Sequence, residues 1–254
     1  MTITFLGTGT SQGVPVIACD CEVCTSADPH DKRLRSSILV EAAGKVVVID
    51  SGPDFRYQML RACVKHLDAI VFTHEHKDHV AGLDDVRAFN YKQQAAIDVY
   101  AVERVQEALK REFSYIFSDS PYPGIPQVNM HTINKDTPFD IGGIHFIPIE
   151  VLHYKLPVLG FRIGDFTYIT DAKTISAQER EKIKGTKVLV INALQKQTHI
   201  SHFTLDEAIS FAQEIGAEKT YLTHISHRLG KHHDISQELP PNIELAYDSL
   251  TIEV

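Results

Sequence analysis

The sequence lacks the features that mark secreted, membrane-spanning or disordered chains. Its N-terminus has no cationic start and only a short apolar stretch, so it does not resemble a secretory signal. No apolar run is long enough to cross a bilayer, and we find no repeat, low-complexity segment or clear linker. Hydrophobic residues make up 43% and charged residues 23% of the chain, as in ordinary folded proteins. We therefore expect one domain over residues 1–254, in the cytoplasm and without a membrane partner.

Positive charge and cysteine are also scarce. The formal net charge of −8 disfavours a general affinity for large nucleic acids, because a polyanion needs basic surface to neutralise its phosphates. A small anionic substrate held by metal ions is compatible with this charge, since bound cations reverse the local field. Three of the four cysteines lie between positions 19 and 24. Such clustering favours metal binding in a reducing compartment over a disulfide framework.

Short β-branched runs recur along the chain, and each is followed by a polar residue. Such runs, with turn residues nearby, are typical of buried strands. They cover residues 46–49, 69–72, 144–152 (interrupted at Pro148), 166–169 and 220–222. The polar residues that follow them are Asp50, Thr73-His74, His153, Thr170-Asp171 and Thr223-His224.

Helical spacing occurs in three stretches between these runs. Residues 103–112 and 205–215 have it, and residues 176–184 form a shorter helix with Ser176 as its N-cap. A chain that mixes strands and helices in this order predicts mixed sheets with outer helices. The segment of residues 118–126, rich in Pro, Gly and Tyr, is predicted to be a loop.

The strongest chemical signal is a run of ionisable residues directly after a predicted buried strand. The run is His74-Glu75-His76-Lys77-Asp78-His79. Imidazole nitrogens and carboxylate oxygens are ligands that zinc, manganese and iron accept. Packing gives no reason to crowd three histidines and an aspartate into six residues, so we interpret the run as part of a metal site.

Three further ligand candidates, His153, Asp171 and His224, end later strands. Alone, each is more often a turn or cap residue than a ligand. Together with the run they complete two metal sites, each with an open position for water. The assignment is His74, His76 and His153 for one ion, Asp78, His79 and His224 for the other, and Asp171 as the bridge.

The H-x-H-x-D-H run, with later His, Asp and His at strand ends, resembles the metallo-β-lactamase superfamily. The resemblance covers almost the whole chain and implies an α/β fold, a four-layer αβ/βα sandwich with two metals at one edge of its sheets. It also implies the ligand assignment above. Asp50 matches an aspartate that orients ligating imidazoles in that family, with a turn residue before Gly52 as the competing interpretation. The carboxylate of Asp78 implies the phosphodiesterase and related hydrolase branches rather than lactam hydrolysis.

A second metal site is indicated by Cys19, Cys21 and Cys24. Thiolates bind zinc tightly, and a C-x-x-C pair has the spacing of a structural zinc knuckle. We expect His227 as the fourth ligand, with His30 as the alternative; free cysteines in a flexible loop are the competing interpretation. The remaining cysteine, at position 63, lies in a stretch with helical spacing (residues 57–65) and is predicted to be a small core residue.

This cysteine loop, which follows L-G-T-G-T-S-Q-G-V-P, is similar to that of the phosphoribosyl 1,2-cyclic phosphate phosphodiesterase subfamily. The resemblance implies hydrolysis of a small cyclic or nucleotide-like phosphodiester by water that two zinc or manganese ions acidify. It also implies that His202, in its protonated form, contacts the scissile phosphate, while Asp78 and Asp171 position the ions. His202 can also be a residue of the loop that caps the following helix, with Thr204 as the N-cap. This structural role is compatible with contact to the phosphate.

Two other functions share parts of this pattern. A tRNA 3′-processing endoribonuclease would share the ligands and the His202 region, but we find no protruding basic, glycine-rich arm. A non-catalytic, metal-stabilised binding module is disfavoured by the complete ligand set. The resemblance also implies a homodimer as one option for the oligomeric state. The remaining histidines are expected to have no role at the site: His66, His131, His145, His199, His232 and His233.

Overall fold

The computed structural model describes residues 1–118 and 124–254, so most of the predicted loop over residues 118–126 lies outside the described residues. Within them, the chain forms two sheets. The strands of the first are β1 (Thr2–Gly7), β2 (Ser37–Ala42), β3 (Lys45–Ile49), β4 (Ala69–Val71), β5 (Ile97–Ala101), β6 (Val128–Thr132) and β15 (Thr251–Glu253). Their order is β15-β1-β2-β3-β4-β5-β6, with β3 to β6 parallel.

The second sheet is built from the C-terminal half of the described chain. Its strands are β7 (Phe139–Ile141), β8 (Ile144–His153), β9 (Leu156–Ile163), β10 (Phe166–Tyr168), β11 (Thr174–Ile175), β12 (Val188–Asn192), β13 (Lys219–Thr223) and β14 (Ile243–Leu245). The order is β11-β8-β9-β10-β12-β13-β14, and β7 pairs with β8. Strands β10, β12, β13 and β14 are parallel.

Helices cover the outer face of each sheet. They are α1 (Phe55–Arg61), α2 (Lys77–Val80), α3 (Arg87–Gln93), α4 (Glu103–Glu112), α5 (Ala177–Ile183), α6 (Leu205–Ile215) and α7 (His232–Glu238). In β3, Val47 and Ile49 pack between the sheets, whereas Val48 packs under the helices with Leu109 of α4. Both faces of such a strand are buried, which explains its continuous apolar run. The result is the expected four-layer αβ/βα sandwich.

Two local predictions were wrong. The third predicted strand is not interrupted, because β8 continues through Pro148. Around this position β9 is the one described strand that pairs with β8, since β7 reaches Phe146 and β11 reaches Val151. The missing N–H of Pro148 therefore breaks no second ladder among the described strands. The helix expected over residues 57–65 ends at Arg61, and Cys63 is exposed rather than a core residue.

Asp50 and most of the predicted ligands lie where parallel strands end, whereas His153 ends the antiparallel strand β8. β3 leads to Asp50, β4 to the histidine run, and β13 to His224, so the carboxyl ends of strands from both sheets meet at one edge. Among the described residues, no helix is both long and apolar enough to cross a membrane.

Candidate metal centre

Asp50 organises the part of the site that belongs to the first sheet. Its buried carboxylate accepts hydrogen bonds from the Thr73 amide (2.9 Å), the Thr73 hydroxyl (2.8 Å) and Nδ1 of His79 (2.7 Å). Because the Thr73 hydroxyl gives its hydrogen to Asp50, it accepts from Nδ1 of His74 at 3.0 Å. One carboxylate therefore fixes the tautomers of two imidazoles and directs both Nε2 atoms inward.

His153 and His224 are oriented in the same way by two serines outside the regular strands, Ser201 and Ser36. Nδ1 of His153 donates to the Ser201 carbonyl at 3.0 Å. Nδ1 of His224 lies 3.2 Å from the Ser36 hydroxyl, which donates its hydrogen to the Gly9 carbonyl and therefore accepts from the imidazole. Each ring thus keeps the lone pair of Nε2 for the interior, as metal-ligating histidines do.

Asp171 lies at the centre of these rings. One carboxylate oxygen is 3.2 Å from Nε2 of His79, and the other is 3.3 Å from Nε2 of His224. The carboxylate of Asp78 is 3.1 Å from Nε2 of His79. Asp171 thus faces ligands from both sheets, which is the geometry expected of a bridging carboxylate.

The donor set fits divalent cations. The Nε2 atom of His74 is buried and lacks a hydrogen-bond partner in the described chain, and Nε2 of His79, also buried, faces the carboxylates of Asp78 and Asp171. Burial opposes a charge on His79, yet Asp78, Asp171 and Asp50 hold its pKa well above the ordinary value. The surrounding carboxylates therefore favour a cation at this position, either a proton or a metal ion. Burial lowers the pKa of His74 and of His224, which keeps these two rings neutral and able to ligate.

The structure brings the predicted ligands together in overlapping groups. The ligand atoms of Asp78, His79 and His224 lie within 4.8 Å of one another, which matches the set assigned to one ion. Asp171 shares a second such group with His74 and His79. The ring of His76 lies 4.6 Å from that of His74. How the donors divide between two ions stays a prediction.

His202 borders the same centre. Its buried ring lies 4.5 Å from that of His153 and 4.9 Å from that of His224. Its Nδ1 is 3.8 Å from Asp171 and has no hydrogen-bond partner among the described residues. Burial, followed by His224, lowers the pKa of His202 to about 3. The protonated form predicted from the sequence is therefore disfavoured, and the ring is a neutral hydrogen-bond donor.

Several site residues adopt backbone conformations that L-amino acids rarely adopt. The φ angles of Asp50, Asp171 and His224 are +66°, +57° and +55°. Such positions cost about 1–3 kcal/mol each and persist where the surroundings enforce them. Gly52 allows the backbone to pass close to the ligand Asp78, because a Cβ at position 52 would lie 2.0 Å from the carbonyl oxygen of Asp78.

The three clustered cysteines form a separate group with His227. Their Sγ atoms lie 3.3 Å (Cys19), 3.4 Å (Cys21) and 3.5 Å (Cys24) from Nδ1 of His227. A backbone hydrogen bond at Cys24 is the main influence that lowers the pKa of Cys21 to about 6, so its thiolate forms readily. The set has the composition of a closed structural zinc site.

The structure distinguishes the two candidates for the fourth ligand of the cysteine site. His227 lies against the thiols, whereas His30 pairs with Asp28 at 3.0 Å and stacks on His232.

Some contributors were not predicted from the sequence. Ser36, Thr73 and Ser201 orient imidazoles but have no motif of their own. His199, expected to have no role, has its ring 5.1 Å from that of His202. Glu75 pairs with Arg104 of α4, and Arg104 also donates to the Pro157 carbonyl at 2.6 Å. A carboxylate placed between two predicted ligands, His74 and His76, is the sequence signal that could have identified Glu75.

Comparison with known proteins defines the class. Residues 45–225 match the family model described as a β-lactamase superfamily domain, which is more than half of the chain. The chain therefore belongs to the metallo-β-lactamase superfamily, and its site has the donors of a metal-dependent hydrolase.

Within the superfamily, the chain belongs to the PhnP family. It is 43% identical to a structurally characterised diphosphatase of that family, with a TM-score of 0.93 and coverage of 100% of this chain and 97% of that one. An octanoyltransferase from Porphyromonas gingivalis is 41% identical over 98% of this chain, which spans 51% of that protein's length. A ribonuclease Z from a Mycobacterium species (strain KMS) is 24% identical over 87% of this chain and 83% of that protein.

Proposed function

We propose that the chain is a phosphodiesterase that hydrolyses a small cyclic or nucleotide-like phosphodiester with two divalent ions, zinc or manganese. The observation that carries this proposal is Asp171, whose two oxygens face histidines from both sheets while His202 borders the same space. Two ions at these donors would supply the Lewis acidity that activates water and offsets charge on phosphoryl oxygens.

The chain's own residues would position the substrate and the reacting groups. Asp78 and Asp171 hold negative charge at the centre, and Asp50 keeps two imidazoles in the ligating tautomer. His202, neutral and unpartnered at Nδ1, donates a hydrogen bond to a phosphoryl oxygen or to the leaving oxygen. Burial of its ring excludes water from that contact.

The comparisons support the reaction class and broaden the set of substrates to be tested. The PhnP-family relative is a diphosphatase, so a phosphoanhydride belongs beside the phosphodiesters. The ribonuclease Z relative keeps tRNA 3′ processing as the alternative, although the chain's net charge of −8 disfavours a large polyanion. We also propose a cytoplasmic enzyme with one structural zinc ion. A mass measurement in solution tests the homodimer that the resemblance implies as one option.

A substrate panel on the manganese- and zinc-loaded protein tests the proposal. The panel contains bis(p-nitrophenyl) phosphate, a cyclic nucleotide, a dinucleoside diphosphate, a precursor tRNA, a β-lactam and an octanoyl thioester. We expect cleavage of the diesters and little turnover of the last three compounds. Cleavage of the thioester or lactam without any phosphodiester would overturn the assignment.

Variants of the ligands connect that activity to the site. Asp171→Ala and His76→Ala should lose metal and nearly all hydrolysis while the protein stays folded. Asp68→Ala is the matched control, because Asp68 accepts hydrogen bonds from Lys45 and Val46 at the opposite end of β4. Unchanged turnover and metal content in either ligand variant would contradict the assignment.

A further inference from the structure

A groove of about 390 Å³ lies among the helices of the first sheet, between α1 and α3. None of the predicted metal ligands is among the described residues that line it. Its floor is apolar: Phe55, Met59 and Phe89 are at most 8% exposed, and the ring centroids of Phe55 and Phe89 lie 6.5 Å apart. Leu60 borders the groove and is 59% exposed. A volume of this size is within the range of binding sites for small molecules, which are largely apolar with a few polar groups.

Two lysines lie at one end of this groove. The side chain of Gln93 in α3 accepts a hydrogen bond from the Leu67 amide at 2.8 Å and donates one to the Leu67 carbonyl at 2.9 Å. These contacts hold the end of α3 against the segment that follows α1, so Lys92 and Lys65 belong to the same end of the groove. Both lysines are exposed, and neither forms an ion pair with a carboxylate in the part of the chain that the structure describes. In a chain with a net charge of −8, two such cations beside an apolar groove favour an anionic ligand.

The opposite end of the groove carries charges of both signs. A Cβ at Gly82 would lie 2.6 Å from the Cβ of Phe55, so the start of α1 lies against the segment of residues 83–86. This contact brings Arg56 of α1 near Asp85, and both residues line the groove. Burial raises the pKa of Asp85, whereas Arg56 lowers it. Positive charge is therefore uncompensated at the lysine end alone, which suits an amphiphile with a single anionic head.

We propose that the groove between α1 and α3 binds a medium-chain fatty acid, with its carboxylate beside Lys65 and Lys92 and its chain on the apolar floor. Met59 contributes an unbranched and adaptable side chain to that floor, which suits a flexible ligand. Most of the affinity would come from the chain, because each buried CH₂ group strengthens binding about fourfold, whereas exposed ion pairs are weak. The groove is separate from the metal centre, so this inference does not depend on the proposed phosphodiesterase function.

A series of carboxylates measures the contribution of the chain. Calorimetry on the zinc-loaded protein gives the affinities of acetate, butanoate, hexanoate, octanoate and decanoate, and acetate reports any binding of a carboxylate to the metal ions. We expect the affinity to rise about fourfold per added CH₂ group and to level off once the chain fills the groove. Octanol should bind more weakly than octanoate at low salt, and the difference should shrink at high salt, because salt screens exposed charges. An affinity that does not depend on chain length would refute the proposal.

Substitutions place this binding in the groove. Ala88 lines the groove on α3 and is exposed, so the ring of Ala88→Phe takes up ligand space without entering the core. We expect this variant to bind octanoate roughly tenfold more weakly, as if about two methylene groups were displaced, at an unchanged melting temperature. Ala177→Phe, at an exposed position of α5, is the matched control and should bind octanoate like the wild type. Lys65→Gln combined with Lys92→Gln should lower the affinity for octanoate about threefold and leave that for octanol unchanged.

Other occupants of the groove give different results in the same set of proteins. A second copy of the chain would appear as a dimer in sedimentation that Ala88→Phe dissociates. An anionic membrane would appear as retention on phosphatidylglycerol vesicles that the double lysine variant abolishes. Either result would overturn the assignment of the groove to a fatty acid. Octanoate binding that stays the same in Ala88→Phe and in the double lysine variant would show that the fatty acid binds elsewhere, and the proposal would fail.

Discussion

Asp50→Asn is the substitution that best tests how the imidazoles are oriented. Asp50 touches no expected metal position; it acts through Thr73 and His79. An asparagine of the same shape keeps one carbonyl oxygen, which can still accept from the Thr73 amide. The oxygen that bonds the Thr73 hydroxyl and Nδ1 of His79 becomes an NH₂ group, which donates instead of accepting.

This substitution affects metal binding because it changes which nitrogen of the imidazole carries the proton. Because the new NH₂ group is a donor, Nδ1 of His79 must accept a hydrogen bond from it. The proton of this ring therefore moves to Nε2, the atom that points at the metal centre. The Thr73 hydroxyl is no longer tied to a carboxylate, and its hold on Nδ1 of His74 weakens. Changes to such supporting groups cost about 10–100-fold in metal affinity, which is about 1.4–2.7 kcal/mol. Because Asp50 and His79 form a buried pair, removing the charge of Asp50 alone leaves His79 without that partner, and the apo-protein should lose stability as well.

Competition with a chromophoric chelator gives the metal dissociation constants, and calorimetry gives the melting temperature with and without metal. Asp68→Asn is the control: Asp68 accepts from the Val46 amide (2.8 Å) and from Lys45 (2.8 Å), far from the ligands. We expect Asp50→Asn to lose metal affinity as well as apo stability, and Asp68→Asn to lose stability with little change in affinity. Equal affinities in the wild type and in both variants would refute the tautomer argument.

Three further predictions concern other parts of the molecule. Cys21→Ser should lower the zinc content by one ion per chain and lower the melting temperature more than the activity per folded molecule; a loaded wild type with no more than two ions would contradict this. His202→Ala should reduce diester cleavage about 100-fold with unchanged metal content, since loss of one transition-state donor costs about that much, and equal rates would remove its proposed role. Arg104→Ala, which releases Glu75 and the Pro157 carbonyl, should speed metal dissociation in a stopped-flow chelator assay, whereas an unchanged rate would show that this pair does not stabilise the ligand loop.

Features that depend on local sequence were predictable. Residues 205–215 form α6 as predicted, because the apolar spacing is helical and the Thr204 side chain and Glu207 form a capping box. Ser176 caps α5 in the expected way. The ligand run and the later His, Asp and His stand at strand ends, where parallel strands bring chemistry to one edge of a sheet.

Features that depend on tertiary contacts were not predictable. Ser36 orients His224 across 188 positions of sequence, and nothing near either residue indicates the partner. Cys63 lies in an apolar stretch, but α1 ends two residues earlier, so the thiol is exposed. Pro148 is tolerated only because β8 has one neighbour at that point, which is a property of the sheet. The proximity of His199 to His202 was likewise not predictable, because it depends on the conformation of the loop that carries both residues.

The cysteine group contains residues that are synthesised at very different times. Cys24 and His227 are 203 positions apart, so the thiols leave the ribosome long before their fourth partner exists. At about 5–20 residues per second, the interval is roughly 10–40 s. During that time the three thiols are available to stray metal ions and oxidants.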